Sequence, residues 1–170
     1  MGVITLLLFA SIAFYDTALR VSQKQTDGLH KFLKTALMLS YGWLLLGAIA
    51  MTASSKISSA IFKDVQFHLI GLGFIFTMIL GHAPLILSSA LSKLPPKKAP
   101  MIPFLVFQTA TLFRILGDFA LLKSASLWQW SGWISGLIHM ISFFAYIATL
   151  IFFIRTRTKN EVTYANSNRS

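Results

Sequence analysis

Long apolar runs separated by short polar segments organise this sequence. Five such runs occur, over residues 2–19, 32–53, 65–91, 102–122 and 127–154. The last four are long enough for a helix to cross a hydrocarbon core of about 30 Å at about 1.5 Å per residue, and the first is marginal. The pattern therefore predicts an all-α integral membrane bundle of about five transmembrane helices. A polar tail over residues 155–170 follows, and we expect it to be disordered.

The segments between the runs carry helix-ending signals. Pro95 and Pro96 interrupt the chain after the third run and cannot continue a helix. The apolar N-terminus imitates a secretory signal, with Ser11, Ile12 and Ala13 resembling a cleavage site. No Lys or Arg precedes that run, so we interpret it as a short first helix.

The basic residues predict an orientation. They concentrate in the first connection (Arg20, Lys24, Lys31, Lys34), the third (Lys93, Lys97, Lys98) and the tail (Arg155, Arg157, Lys159, Arg169). The second and fourth connections carry only Lys56, Lys63 and Lys123. The positive-inside rule then places the N-terminus outside and the C-terminus in the cytoplasm. Trp128, Trp130 and Trp133 fall at the outer end of the fifth run, where an aromatic belt is expected.

Composition changes this picture little. Apolar residues make up 55% and charged residues 12% of the 170 positions, about half the charged fraction of a soluble domain. The net charge of +10 does not indicate nucleic-acid binding, because every Lys and Arg except Arg114 lies in a connection, a helix end or the tail. Lipid is the expected partner, with other membrane subunits or a homo-oligomer as further candidates. The absence of cysteine excludes disulfides and thiolate chemistry.

Few ionisable residues fall inside the apolar runs, and each is a candidate site residue because a charge in hydrocarbon is costly. They are His68 and His82 in the third run, Arg114 and Asp118 in the fourth, and His139 in the fifth. There is no HExxH motif or glycine-rich phosphate loop, and the five carboxylate residues are few for hydrolysis. Whether the protein is an enzyme stays open.

The third run suggests a haem site. At 100° per residue, His68 and His82 lie within about 40° of one another and about 21 Å apart along the axis. One helix face with an imidazole near each membrane surface is typical of bundles that hold b-type haem. Pro84 frees the carbonyl of Leu80 and predicts a kink beside His82.

Depth predicts which histidines share a cofactor. His82 lies only about 6 Å inward of His139, whereas His68 lies roughly 15 Å outward. His82 and His139 are therefore the expected axial ligands, and His68 has no intramembrane histidine left as a partner. The structural alternative, an imidazole that only hydrogen-bonds between helices, applies to all three and weighs most for His68.

Arg114 and Asp118 are four residues apart and share a helix face, which allows an ion pair. Two functional alternatives remain: Arg114 holds a haem propionate, or Asp118 relays protons.

The stretch from His68 to Leu87, with its two glycines before the Gly-His-Ala-Pro sequence at His82, resembles a segment of bacterial membrane proteins similar to the NnrS-like group. Residues 112–118, which include Arg114 and Asp118, also resemble that group, and about 50 residues carry the likeness. The group is linked to haem, copper and the response to nitric oxide, and its members are much longer. The resemblance implies His68, His82 and Arg114 as site residues, in a bacterial inner membrane.

Three functions follow as expectations. The first is a haem b-binding protein for electron transfer or for a diatomic ligand such as nitric oxide or oxygen, with His82, His139 and His68 as metal ligands, Arg114 on the cofactor, and copper as a second candidate metal. The second is a small structural or assembly subunit of a larger membrane complex. The third is a transporter or channel element whose path is lined by Arg114, Asp118 and the histidines.

Overall fold

The computed structural model describes residues 2–22, 28–56, 60–93, 96, 98–119 and 124–167. These residues form helices with short connections and contain no strand. The helices are α1 (Gly2–Ser22), α2 (Gly28–Lys56), α3 (Ala60–His68), a π-helical segment (Leu69–Phe76), α4 (Thr77–Ala90), α5 (Met101–Phe119) and α6 (Ala125–Ser167). α3, the π segment and α4 run on without a break, and together we call them the third helix. The all-α prediction is confirmed.

Most helices extend beyond the predicted bounds. The third helix begins at Ala60, five residues before the predicted start, because Lys63 and Asp64 continue the helix instead of ending it. Charged residues at the end of a membrane-spanning segment can remain helical while their charged groups extend to the membrane interface. Residues 23–27 and 57–59 of the predicted connections, Pro95, and residues 120–123, which include the predicted end of the fourth helix at residue 122, lie outside the described residues.

The expectation of a disordered tail is wrong as far as Ser167. α6 runs unbroken for 43 residues, and no Pro or Gly follows Gly136 to interrupt it. The predicted end at residue 154 is the last residue of the apolar run. The backbone hydrogen bonds of the helix continue beyond it.

The π segment overturns the assumption that placed His68 and His82 on one face. Its i→i+5 bonds put more residues into each turn than an α-helix does, so every residue there turns by less than 100°. The smaller rotation per residue accumulates over the eight residues of the segment. The angle of about 40° predicted between His68 and His82 around the helix axis therefore does not apply. Gly73 lets this segment approach α2 closely, because a Cβ at that position would lie 2.8 Å from Cβ and Cγ of Trp43.

The kink predicted beside His82 stays a prediction, but the carbonyl that Pro84 frees has a hydrogen-bond partner. Pro84 lies inside α4 and has no N–H to give to Leu80, and the hydroxyl of Tyr146 on α6 donates a hydrogen bond to that freed carbonyl. Tyr146 is fully buried, so its hydroxyl ties α6 to α4 at the weak point of the third helix. α4 then ends in a Schellman motif, with Ser92 at φ 50° and the Lys93 N–H donating to the Ser88 carbonyl.

The helices pack as a bundle. α1 lies against α2, α2 lies against all three parts of the third helix, and α5 lies between α3 and α6. The larger core cluster consists of Leu29, Phe32, Ala36, Leu80, Phe104, Phe107, Tyr146, Leu150 and Ile154. A smaller cluster of Ala50, Val65, Leu69 and Ile115 lies towards the other end.

Large apolar side chains cover the outside of the bundle. Phe67, Ile102, Trp133 and Phe144 are each more than half exposed, as expected for side chains that contact lipid. Four helices are long and apolar enough to cross a membrane: residues Gly28–Ala53, Ile61–Ala90, Met101–Phe119 and Ala125–Thr158. The apolar part of α1, Ile4–Thr17, is shorter, and the crossing of this helix stays a prediction.

Candidate functional site: a buried charge cluster

Two pairs of ionisable residues, each one helical turn apart, face one another across the α3–α5 contact. α3 contributes Asp64 and His68, and α5 contributes Arg114 and Asp118. α5 runs antiparallel to the third helix, so the beginning of α3 meets the end of α5. We call these four residues the charge cluster.

His68 links the two helices through both ring nitrogens. Its Nδ1 lies 2.8 Å from Oδ2 of Asp118, and its Nε2 accepts a hydrogen bond of 3.2 Å from Nε of Arg114. Because a guanidinium can only donate, Nε2 must carry the lone pair and Nδ1 the proton. The geometry therefore assigns a neutral imidazole that donates to Asp118.

Arg114 bridges the two carboxylates. Its Nη2 donates to Oδ2 of Asp64 at 3.3 Å and lies 3.0 Å from Oδ1 of Asp118. The second contact is an ion pair without hydrogen-bond geometry. The predicted Arg114–Asp118 pair is confirmed, but the carboxylate of Asp64 on another helix shares it.

Burial differs steeply across the charge cluster. The side chain of Asp118 is 1% exposed, those of Arg114 and His68 are 13% and 20%, and that of Asp64 is 37%. Asp64 thus connects a buried ion pair to the surface of the bundle. With both carboxylates ionised and His68 neutral, two negative charges face one positive charge, and a formal charge of −1 remains.

A buried polar stripe continues from the charge cluster along α5. Gln108 and Thr111 precede Arg114 and Asp118 on the same face, and from Gln108 to Asp118 the stripe covers about 15 Å. Gln108 accepts from Nε1 of Trp43 at 2.8 Å and donates to Oγ1 of Thr77 at 2.7 Å. Polar groups from α2, α4 and α5 therefore satisfy one another inside the bundle.

His139 meets the same stripe from α6. Its Nδ1 lies 2.7 Å from the carbonyl of Ser135, and its Nε2 lies 3.0 Å from Oγ1 of Thr111. The ring packs edge-on against Phe107, with centroids 4.7 Å apart. Both ring nitrogens of His139 thus have protein partners, as expected for an imidazole that only hydrogen-bonds between helices.

His82 has a different environment. Its Nδ1 lies 2.9 Å from the carbonyl of Met78 on its own helix. Since a carbonyl only accepts, Nδ1 carries the proton, and the Nε2 lone pair has no hydrogen-bond partner among the residues that the structure describes. Second-sphere contacts of this kind orient ligating histidines. The pairing of His82 with His139 across a cofactor stays a prediction.

A cleft of about 550 Å³ opens beside the charge cluster on the outer face of α6. It is lined by Arg114, Trp128, Gln129, Gly132, Trp133, Gly136, Leu137 and Met140. Cζ of Arg114 lies 5.8 Å from the centre of the Trp128 ring. A Cβ at Gly132 would lie 2.6 Å from Nη1 of Arg114, so the absence of a side chain there makes room for the guanidinium.

The model of the family described as "Domain of unknown function (DUF8744)" matches residues 1–152. The chain belongs to this family. No curated protein and no solved structure matches the chain. The family match extends over all the residues that form the charge cluster, the polar stripe and the cleft of this DUF8744 protein.

Of the site residues predicted for this DUF8744 member, His68 and Arg114 meet directly, whereas His82 and His139 make their described polar contacts elsewhere. Asp64 escaped prediction because the third helix was expected to begin at residue 65. The i, i+4 spacing of Asp64 and His68 is the signal that an earlier helix start would have revealed. Gln108 and Thr77 gave no signal, because a single Gln or Thr in an apolar run has no characteristic spacing.

A metal ion is a further candidate at the charge cluster. One ligand atom each from Asp64, His68 and Asp118 lies within 4.8 Å of the others. However, the Arg114 guanidinium already contacts all three residues and supplies the positive charge that a cation would bring. The guanidinium therefore stands where a cation bound to these ligand atoms would have to stand.

Proposed function

We propose that this protein is a proton-coupled membrane transporter and that the charge cluster is its proton-binding site. The observation that supports this proposal is the position of His68 between Asp118 and Arg114. Among the three functions expected from the sequence, these contacts favour the transporter.

The charge balance favours the uptake of one proton. A residual formal charge of −1 in a poorly solvated site attracts a cation, and the smallest one available is the proton. Asp64 is the partly exposed member through which a proton enters, and its Oδ1 lies 3.8 Å from Nδ1 of His68. Protonation of His68 makes the charge cluster formally neutral.

Proton uptake also moves a side chain. In the neutral ring, Nε2 accepts from Nε of Arg114, but in the imidazolium both nitrogens carry hydrogen. Nε2 of His68 and Nε of Arg114 are then both donors that face each other, so Arg114 must move away from His68. Arg114 also forms part of the cleft on α6, and its displacement links the proton to the shape and charge of that cleft. This is the coupling that a proton-driven transporter requires.

We further propose the orientation that the Lys and Arg distribution predicts, in a bacterial cytoplasmic membrane with the C-terminus inside. The charge cluster then lies towards the external surface, where Asp64 receives protons from outside.

The proposal is tested by charge displacement on a solid-supported membrane. Protein reconstituted in vesicles receives a jump from neutral to acidic solution, and proton binding within the membrane gives a transient current. We expect a current in the wild type that His68→Gln abolishes and the matched change His82→Gln preserves. A wild type without a current, or an equal current in His68→Gln, would rule out the proton site.

Haem binding is the second candidate, and the available Nε2 of His82 supports it. His82 would be one axial ligand, and His139 would be the other once a ring nitrogen exchanged its hydrogen bond with Thr111 or Ser135 for the iron. If haem is bound, the purified protein shows a Soret band that His82→Ala removes. A colourless preparation from a haem-replete host would eliminate this candidate.

A further inference from the structure

The contacts of His139 on α6 fix one ring nitrogen and leave the charge of the ring to the other. Nδ1 lies 2.7 Å from the carbonyl of Ser135. Because a carbonyl only accepts, Nδ1 carries a hydrogen in every state that keeps this contact. The protonation state is therefore decided at Nε2, which lies 3.0 Å from Oγ1 of Thr111 on α5.

The hydroxyl of Thr111 has one hydrogen and two acceptors within reach. Its Oγ1 lies 3.0 Å from the carbonyl of Phe107 as well as 3.0 Å from Nε2 of His139. When the hydroxyl donates to Nε2, the imidazole is neutral. When the hydroxyl donates to Phe107, a lone pair of Oγ1 accepts from a protonated Nε2. Rotation of one hydrogen therefore satisfies both charge states of His139 without displacing a heavy atom.

The other two histidines of the apolar runs have no such partner. A hydrogen on Nε2 of His68 faces Nε of Arg114, which is itself a donor. At His82 the Nδ1 contact with a carbonyl one turn earlier is the same as in His139, but Nε2 has no hydrogen-bond partner among the described residues. We propose that His139 is a proton-binding site inside the bundle and that Thr111 is its positioning residue. A proton adds to the lone pair of Nε2, and the hydrogen of Thr111 turns to the carbonyl of Phe107.

Charged and titratable side chains face this site from three helices. They are Asp64 and His68 on α3, Arg114 and Asp118 on α5, and Tyr146 on α6. Arg114 and a protonated His68 each repel a proton at His139. Asp64 and Asp118 pair with Arg114 and reduce its repulsion. The hydroxyl of Tyr146 is committed to the carbonyl of Leu80.

One consequence deepens the proposed function and rests on it. Because a proton on His68 repels a proton on His139, the two sites fill in turn. Thr111 precedes Arg114 by three residues, or about 4.5 Å along α5. His139, bound to Thr111, is thus the next group along the bundle to take the proton from the charge cluster.

The test is nuclear magnetic resonance of the full chain with ¹⁵N-labelled histidine, recorded from neutral to acidic pH, with His139→Gln to identify its signals. We expect the ring of His139 to change from the Nδ1–H form to the imidazolium. Thr111→Val removes the hydroxyl at nearly constant volume and should lower the midpoint by about one pH unit, because hydrogen bonds to charged groups are the stronger ones. Thr111→Ser should restore the midpoint. Thr109→Val, which removes an exposed hydroxyl from the same helix, should leave it unchanged.

The outcomes separate this site from the charge cluster. A ring of His139 that stays neutral until the protein unfolds overturns the proposal, even where the acid jump gives a current. A midpoint that is unchanged or raised in Thr111→Val overturns the role of Thr111, and Thr111→Ala decides the same point if the valine variant does not fold. Titration of His139 with the expected dependence on Thr111, together with an acid-jump current that His68→Gln leaves unchanged, supports the site at His139 and rules out the proposed entry through His68.

Discussion

The two ends of the bundle are built on different principles. At the end where Phe32, Phe104 and Tyr146 meet, the helices are joined by aromatic contacts, with the rings of Phe32 and Phe104 5.0 Å apart. At the other end the buried apolar cluster is small, and the charge cluster joins α3 to α5. Aromatic packing has one favourable arrangement, whereas four ionisable groups have several that differ by one proton. The two ends therefore differ in what a substitution removes, which is apolar contact at one end and a paired charge at the other.

This comparison predicts that the polar end is the more easily damaged. Asp118→Asn leaves the buried Arg114 with the partly exposed Asp64 as its carboxylate partner and should lower the free energy of unfolding by roughly 3–5 kcal/mol. Unfolding in mixed micelles with increasing dodecyl sulfate, followed by circular dichroism, measures the loss. The double variant Arg114→Gln with Asp118→Asn removes both charges and should be milder. A loss below about 1 kcal/mol in the single variant would show that Asp64 alone compensates Arg114.

At the apolar end the expected effect is smaller and depends on Pro84. Tyr146→Phe leaves the Leu80 carbonyl buried without its donor and should cost about 1–3 kcal/mol in the same assay. Pro84→Ala restores an N–H in the helix, so Tyr146→Phe should cost less in that background. Tyr15→Phe, at an exposed tyrosine, serves as the control. Equal costs in both backgrounds would mean that the hydroxyl does not act through Leu80.

Two alanine substitutions at glycines of α6 test the polar end of the bundle without removing a charge. In Gly132→Ala the new methyl group meets Nη1 of Arg114, whereas in Gly136→Ala it meets open space. Both changes gain helix propensity of about 1 kcal/mol, so neither should destabilise strongly. Gly132→Ala alone should displace Arg114 from Trp128, change the tryptophan fluorescence and alter the acid-jump current. The same fluorescence and current in both variants would contradict the close packing of Gly132 and Arg114.

The last prediction assigns the two ends to sides of the membrane and involves no loss of stability. The chain has no cysteine, so single cysteines report topology without background. An impermeant reagent should label Ser58→Cys but not Ser92→Cys in intact cells, because the basic residues place residues 93–100 inside. Labelling of Ser92→Cys without Ser58→Cys would reverse the orientation and direct Asp64 to the cytoplasm.

The sequence predicts the helices well because apolar runs of this length have few alternatives in a membrane. It also predicts the contact of Arg114 with Asp118 and the freed carbonyl of Leu80, since both follow from spacing within one helix. The sequence does not predict the hydrogen-bond partners that come from other helices. Tyr146 reaches Leu80, and Gln108 reaches Trp43, through packing that no local pattern encodes.

The histidines illustrate the same limit. The expectation that His68 has no histidine partner left its other partners open, and the structure supplies Asp118 and Arg114. The sequence also did not predict the π segment between His68 and His82. The sequence of its eight residues is equally compatible with an ordinary α-helix. A helical wheel assumes a constant turn per residue, and one irregular segment invalidates it for everything beyond.

The length of α6 has a mechanical consequence. Its 43 residues extend about 65 Å, more than twice the thickness of the hydrocarbon core. From Gly136 onwards it contains no proline or glycine at which to bend, so it behaves as a stiff rod whose two ends tilt together. Near its N-terminal end, Gly132 packs against the guanidinium of Arg114, and its C-terminal end extends beyond the apolar span to Ser167. A small tilt of α6 about its contacts in the bundle therefore moves its C-terminal end through a larger distance than any residue inside the bundle.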